Sequence, residues 1–541
     1  MVNSKLKVLL TRPHENYHNL NYQDLMRVCR VSAPIGLLFL ADICKNIENT
    51  ECMILDPLVN GVFPDVKTLA FPVNDFTWGR HMSEEIHNIP ADFIPDVIGI
   101  SVMFSHLYSS TLESVEILKK KYPHAKILVG GADPTAKFER YLNNSPHIDL
   151  IALGEGEKIF KNLLTSIQAN QDMTSVPGVA YRSEGKVKRN ASEPLILHLD
   201  EVRPNYEFID LKKYFNVNLV NFSPRISYSY PKSNQSINFI TSRGCPFKCV
   251  FCSIQIHMGS PFRYNSPEYV VREIKYLVDN YDVKHFNFDD DNLTLNLSRF
   301  KKICRLIIEN KLKITWDTPN GVRGDILDDE SLALAIKSGC TYLLFGIESG
   351  VQKVIDEIVK KDLNLEESIK NLKRCYKAKL DTGAFFIIGF PGETKQDIRK
   401  TINVALTLFW KYKTRPHLNI ARPYEGTALY NKAMETQTLK YHNHKISNIP
   451  TLVTLEMMIE NEEFDLKHLN KEYKRFQSLY ILISGINWLL YTLKNPILFT
   501  QTMIQHLIQS YKQIPNIKVA LTKTYIGVIL FPFAIRRKNL Y

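Results

Sequence analysis

The chain has 541 residues, 45% hydrophobic and 23% charged, which excludes a disordered or fibrous polypeptide and predicts three or four domains with separate cores. The formal charge is +12, and nine basic residues with no acidic one follow Glu472. Nine cysteines are an odd number for a disulfide scaffold, and Met1–Leu10 holds too short an apolar run for a signal peptide, so a reducing, cytoplasmic setting is expected.

In chain order, Leu6–Leu10 is strand-like, and Pro34-Ile35-Gly36-Leu37-Leu38-Phe39-Leu40-Ala41 opens a helix. Strands follow at Glu51–Asp56, Val97–Val102, Ile127–Gly131 and Leu150–Leu153, the last leading into Gly154-Glu155-Gly156-Glu157. Five short strands with intervening helices over 1–165 predict a doubly wound, flavodoxin-like sheet, whose ligand would lie along the C-terminal strand edge. Residues 166–235 mix short strands with prolines and are expected to connect two domains.

Thr241-Ser-Arg-Gly-Cys-Pro-Phe-Lys-Cys-Val-Phe-Cys252 then places Cys245, Cys249 and Cys252 at C-x3-C-x2-C spacing. Three thiolates on one short loop can hold three corners of a cubane iron–sulfur cluster, leaving one iron open to another ligand. Zinc with His257 as fourth ligand is the alternative, although structural zinc usually pairs two short Cys/His hairpins and no second pair is present. Six strand–helix units follow over 236–430. Their strands end at the cysteine loop, at Asp289-Asp290-Asp291, at Asn320-Gly-Val-Arg323, at Glu348-Ser349-Gly350, at Gly389-Phe-Pro-Gly392 and at Arg422-Pro-Tyr-Glu425. Such alternation predicts a parallel, partial (β/α)6 barrel with its chemistry at the C-terminal strand ends. Each end also has a bland reading: Asp289–Asp291 as a helix cap, Glu348 as half of an ion pair, Gly392 as a turn.

The cysteine motif and its trailing strand ends resemble the radical S-adenosylmethionine (SAM) superfamily. The Pro34–Ala41 helix, Gly130-Gly-Ala-Asp-Pro-Thr-Ala136 and Gly154-Glu-Gly-Glu157 resemble the cobalamin-binding domain that precedes the barrel in one class of it. The resemblance implies a 4Fe–4S cluster on the three cysteines, with SAM chelating the open iron and cleaved to a 5′-deoxyadenosyl radical. It further implies SAM contacts from Asp289, Asp290, Asp291, Arg323, Glu348, Ser349, Gly389 and Gly392. Cobalamin contacts would come from Ser101, His106, Gly130, Gly131, Gly154 and Glu155. Two departures stand out: the second barrel strand lacks the Gly-Gly-Glu often found there, and Asp-x-His-x-x-Gly is missing, so no histidine of that motif ligates cobalt. The implied activity is methyl transfer to an unactivated carbon, with radical cyclisation or rearrangement as the alternative. A tRNA methylthiotransferase ranks below these, and a non-enzymatic carrier last. The class implies a small-molecule substrate and a reductase, flavodoxin or ferredoxin as electron donor.

Residues 431–541 are expected to be helical. Leu479–Tyr491 and Ile526–Ile535 are apolar but shorter than a membrane span, so the basic tail suits either an anionic membrane surface or a helical lid on the barrel. A membrane contact would favour a lipid or polyprenoid substrate. Nucleic acid is disfavoured because the tail's aromatics fall among aliphatic residues.

Overall fold

The computed structural model describes residues 5–20, 31–60, 73–217, 233–442 and 456–494. Cys29 and all of the tail beyond Lys494, including Ile526–Ile535, lie outside them. Two parallel sheets dominate the described residues.

The first sheet has seven strands. In spatial order they are Thr50–Leu55, Leu6–Thr11, Val97–Ser101, Lys126–Gly130, Leu150–Ala152, Val179–Ser183 and Lys186–Arg189. The first five are parallel in the flavodoxin-like order 2-1-3-4-5, as the alternation predicts. The last two add antiparallel strands, so the expected connector begins as an extension of this sheet. Val8, Leu10, Val97 and Leu128 face Leu37, Ala41, Phe160 and Leu163 on one side. Leu9, Ile98, Ile100 and Val129 face Val115, Leu118, Tyr141 and Leu142 on the other. A sheet buried on both faces requires near-continuous apolar strands, and Val97-Ile-Gly-Ile100 is one. One element escapes the sequence pattern: an antiparallel ribbon of Glu15–Leu20 and Val73–Trp78, whose polar segments carry no strand periodicity.

The second sheet has six parallel strands in strictly sequential order: Ser236–Phe239, His285–Phe288, Thr315–Val322, Cys340–Glu348, Asp381–Ile388 and Arg415–Ile420. This is the expected partial barrel. Local chemistry sets its helices. The first, Pro267–Tyr281, starts at Ser266, whose side chain accepts from Tyr269 N–H, with proline at the first turn and left-handed Asp282 at its end. Val270, Val271, Ile274 and Leu277 cover the strands; each such side chain fully buried contributes about 1.5–3 kcal/mol. Thr394 and Asp397 form a capping box for Lys395–Tyr412. After the fourth strand the chain makes a π-helical stretch, Val354–Val359, ending in left-handed Lys360.

The helix Leu466–Lys494 packs against Lys395–Tyr412, with Phe409 and Tyr480 rings 4.6 Å apart and Arg399 paired to Glu472 at 3.0 Å. Farther along, Ile481, Leu482, Leu489, Leu490 and Leu493 are exposed. No described helix is long and apolar enough to cross a membrane.

Candidate functional site

The cysteine loop is held at both ends. Ahead of it, buried Asp290 accepts from Thr241 N–H and from the Thr241 and Ser242 hydroxyls, and Asp291 accepts from Gly244 N–H at 2.8 Å. Gly244 has φ +81, and a Cβ there would lie 2.3 Å from the Pro261 carbonyl, so only glycine makes this turn without strain. Behind the loop, Val250 N–H donates to Val359 at the end of the π-helix, and Leu429 N–H donates to Val250. Gln255 donates to the Cys245 and Phe247 carbonyls.

Burial pushes the Cys249 thiol up to about 11 and the Cys252 thiol up to about 12, so their protons must leave when metal binds. Among the described residues, the one set of three His, Cys, Asp or Glu ligand atoms within 4.8 Å of one another lies elsewhere. The three cysteine sulfurs are therefore spread wider than a single zinc with Zn–S of about 2.3 Å would draw them. His257 Nδ1 bonds the Ser253 carbonyl of its own turn. The donor set fits a cluster better than one ion.

The other strand ends do not all point where the resemblance implies. Asp289 bonds Asn238, and Asp290 and Asp291 serve the approach to the cysteine loop. Arg323 grips Asp325 through two nitrogens, donates to the Lys361 and Asp362 carbonyls, and stacks 4.1 Å over the Phe247 ring. Glu348 pairs with Lys361 Nζ and holds φ +70, a conformation costly for a residue with a Cβ. Ser349 is buried, shares a hydrogen bond with Thr401 and accepts from Val351 N–H. Gly389 and Gly392 would point a Cβ at Leu469 (3.1 Å) and Ile358 (3.5 Å), so their freedom serves packing. Lys361 and Phe247 escape the sequence reading because nothing in the local pattern distinguishes them from surface lysine and loop aromatic residues. Lys361 and Arg323 place two cations where they draw Cys249 toward its thiolate. Lys361→Met is expected to shift the cluster's midpoint potential downward, seen by an EPR-monitored redox titration. It should also cost about 3–5 kcal/mol by leaving Glu348 buried without its cation.

Glu393 accepts from Gly389 and Phe390 N–H through Oε2, while its buried Oε1 bonds nothing among the described residues. Burial lifts the carboxyl from 4.5 to about 8. Between those values the folded chain keeps a proton that the unfolded chain releases. Stability from this group is therefore full below 4.5, falls as pH rises, and is lost above about 8. Glu393→Gln should flatten that slope, by an amount on the order of a few kcal/mol, in chemical unfolding at pH 5 and pH 8.5.

On the first sheet, Ser101, Gly130 and Ala152 lie abreast across adjacent strand ends. Gly36, in the helix Ile35–Lys45, leaves the Ser101 hydroxyl 3.9 Å from where a Cβ would stand. Gly131 has φ +116 and no room for a Cβ against the Val102 carbonyl, 2.3 Å away. Thr135 accepts from Gly154 N–H and donates to Gly131, tying two predicted loops together. His106 stacks on Phe104, and burial lowers its pKa to about 4, so the ring is neutral. Met103 and Phe104 are exposed beside it, 51% and 57%, an apolar rim suited to a corrin ring. Glu155 differs from expectation: its carboxylate is taken by Arg243 at 3.0 Å and Arg263 at 2.7 Å. Glu157 pairs with Arg243 at 2.6 Å.

These ion pairs set the two strand-end edges face to face. Gly426 would point a Cβ at Ile256 and Ala136, and Arg140 reaches Glu425 at 3.7 Å. The Gly130-Gly131 edge thus lies opposite the cysteine loop. A Radical SAM superfamily model matches residues 239–405, and a B12 binding domain model matches 30–164. The chain belongs to the radical SAM enzymes that carry a cobalamin-binding domain. The 4Fe–4S cluster, SAM and cobalamin are the cofactors of this class. An uncharacterized methyltransferase of Pyrococcus horikoshii is 29% identical over 83% of this chain and 88% of its own length. The anaerobic magnesium-protoporphyrin IX monomethyl ester cyclase of Rubrivivax gelatinosus is 26% identical over 72% of this chain and 64% of its own. The radical SAM methyltransferase TsrM of Kitasatospora setae, solved with cobalamin and a [4Fe-4S] cluster, superposes with TM-score 0.64 at 14% identity, covering 88% of this chain and 89% of that one. That likeness concerns the fold.

Proposed function

We propose that the chain is a methyltransferase acting on an unactivated carbon of a small molecule. The carrying observation is the apposition of the Gly130-Gly131 edge and the cysteine loop, which supports a reading in which a radical generator and a methyl carrier would face each other across one site. When bound, the cofactors supply the hard chemistry: SAM cleavage at the open iron and a methyl group on cobalt. The protein binds, orients and shields. Asp290, Asp291 and Gly244 hold the cysteine loop in shape, and Lys361 and Arg323 offset part of the burial that holds Cys249 as a thiol. Ser101, Gly130, Gly131, Gly154 and the neutral His106 are our candidates for the cobalamin side, and Glu348 and the Asp289 carboxylate for the SAM side. Boundaries near 235 and 430 follow from the same reading, while the first domain's sheet runs past the expected boundary at 165 to Arg189.

The test is anaerobic reconstitution with iron, sulfide and cobalamin, then SAM and a strong reductant together with candidate substrates. A methyltransferase is expected to release 5′-deoxyadenosine and S-adenosylhomocysteine together. Deoxyadenosine alone from a cobalamin-loaded protein would favour the cyclase reading, which the Rubrivivax relative supports. Cys44 and Cys52 lie within a helix and a strand, which weighs against the second-cluster loop of a methylthiotransferase. The exposed Ile481–Leu493 face and the basic tail support an anionic membrane surface as partner and a lipid-like substrate. Failure of the full chain to co-sediment with phosphatidylglycerol vesicles would sink that part alone.

A further inference from the structure

We infer that His14, His81 and Glu113 form a divalent-metal site on the first domain, distinct from the cysteine loop. Their ligand atoms all lie within 4.8 Å of one another, the one such set among the described residues. His81 Nε2 is 3.0 Å from Glu113 Oε1, and His14 Nε2 is 3.3 Å from Glu113 Oε2. Four ligands about 2.0–2.1 Å from a tetrahedral zinc are spaced roughly 3.3 Å apart, so only small side-chain movements are needed to admit an ion.

The three ligands come from three separate elements. His14 follows the strand Leu6–Thr11, His81 precedes the short helix Met82–Glu85, and Glu113 lies on the helix Tyr108–Lys121. The chain fixes each approach. Gly79, at φ +86, would put a Cβ 2.5 Å from the Pro57 carbonyl, and Arg80 N–H donates to that same carbonyl, so the backbone leading to His81 has one course. The His14 and His81 rings stand 4.2 Å apart and turn their Nε2 atoms to one carboxylate. Ser83 Oγ lies 2.8 Å from His81 Nδ1. Ser83 N–H donates to that same Nδ1 at 3.3 Å, so an ion on Nε2 requires the ring proton to move to Nδ1, where Ser83 Oγ accepts it in place of the backbone bond, the outer-shell arrangement usual for a metal-bound histidine.

The same geometry also suits two plain imidazole–carboxylate hydrogen bonds, and the difference is measurable. Two imidazoles and a carboxylate favour zinc or another late first-row divalent ion over magnesium or calcium. The side chain of His14 is fully buried, while His81 is 29% and Glu113 45% exposed, so the fourth position faces solvent on the Glu113 side. Glu15 pairs with Trp78 at the base of the ribbon, directly beside His14. An ion here fastens the base of that ribbon to the helix Tyr108–Lys121.

The experiment uses the full chain loaded with cluster and cobalamin, dialysed anaerobically against zinc buffered by a chelator. Zinc is counted by elemental analysis, and its ligands are read from X-ray absorption at the zinc edge. One zinc per chain with a nitrogen and oxygen shell containing two imidazoles is the expected result. Glu113→Gln and His81→Ala, both partly exposed and so tolerable to folding, should each weaken binding at least about a hundredfold, and Ser83→Ala about tenfold. Sulfur in the zinc shell, no retained zinc, or binding unchanged in both ligand variants would overturn the site.

Discussion

Replacing Cys245 by alanine is expected to abolish SAM cleavage while leaving the fold in place. Three thiols hold three irons of the cluster, and among the described residues Cys304, Cys340 and Cys375 are buried in the barrel's main core, away from the loop. With two ligands the cluster neither assembles nor keeps its open iron oriented, so 5′-deoxyadenosine formation should fall by about a thousandfold or more. Iron content and the broad visible absorption of the cluster should fall with it. Cys245 is only half-buried, and its loop backbone is held by Gln255, Asp291 and Val359 rather than by the thiol. Apo-protein unfolding should therefore change by less than about 1 kcal/mol. Cys304→Ala is the opposite case. It removes a fully buried thiol packed under the strands, so it should cost about 1 kcal/mol or more in stability and leave the cluster intact. A Cys245→Ala protein that still cleaved SAM at wild-type rate would end the cluster reading.

The architecture was legible because alternation of strand and helix is a global pattern that tolerates errors at any one boundary. The six barrel strands end within a few residues of the expected strand ends, since each is an apolar run bounded by polar or glycine-rich turns. The site was less legible, for a physical reason. A sequence shows which polar groups stand at strand ends but not which of them are already satisfied. Arg323 looks available until Asp325, two residues on, takes its guanidinium. Glu155 looks like a ligand contact until two arginines from the barrel close on it. Of the residues that reach the cysteines from farther along the chain, Val359 ends a π-helical turn whose i→i+5 bonding leaves no periodic signature, and Lys361 follows two residues later. Glycine was over-read for the same reason. Gly244 and Gly131 do need their freedom, but Gly389 spends it on Leu469 of a helix some eighty residues farther along.

Arg243→Ala is expected to separate radical formation from its use. Arg243 stands two residues before Cys245, with its side chain 8% exposed, and joins Glu155 and Glu157 of the first domain at 3.0 and 2.6 Å. Its guanidinium also lies 4.8 Å over the Phe39 ring of the helix opening that domain. Taking it away leaves Glu155 with Arg263 but strips Glu157, whose side chain is 9% exposed, of the cation it faces. A buried charge left unpaired costs about 3–5 kcal/mol, so the single variant should unfold at markedly lower denaturant. Replacing both partners by apolar residues removes that penalty: Arg243→Met with Glu157→Met should recover most of the stability, and a double-mutant cycle would measure the coupling. The recovered protein is the informative one. It keeps all three cysteines and the Asp290 and Asp291 anchors, so 5′-deoxyadenosine should still form at close to the normal rate. What it lacks is part of the clamp that sets the cysteine loop against the Gly130-Gly131 edge. Because a displacement of about 1 Å at reacting atoms can cost a hundredfold, methylated product per deoxyadenosine should fall by about tenfold or more. An unchanged ratio in the stable double variant would mean that the two edges hold their alignment without Arg243, leaving Arg263 and the Ala136–Gly426 contact to carry it.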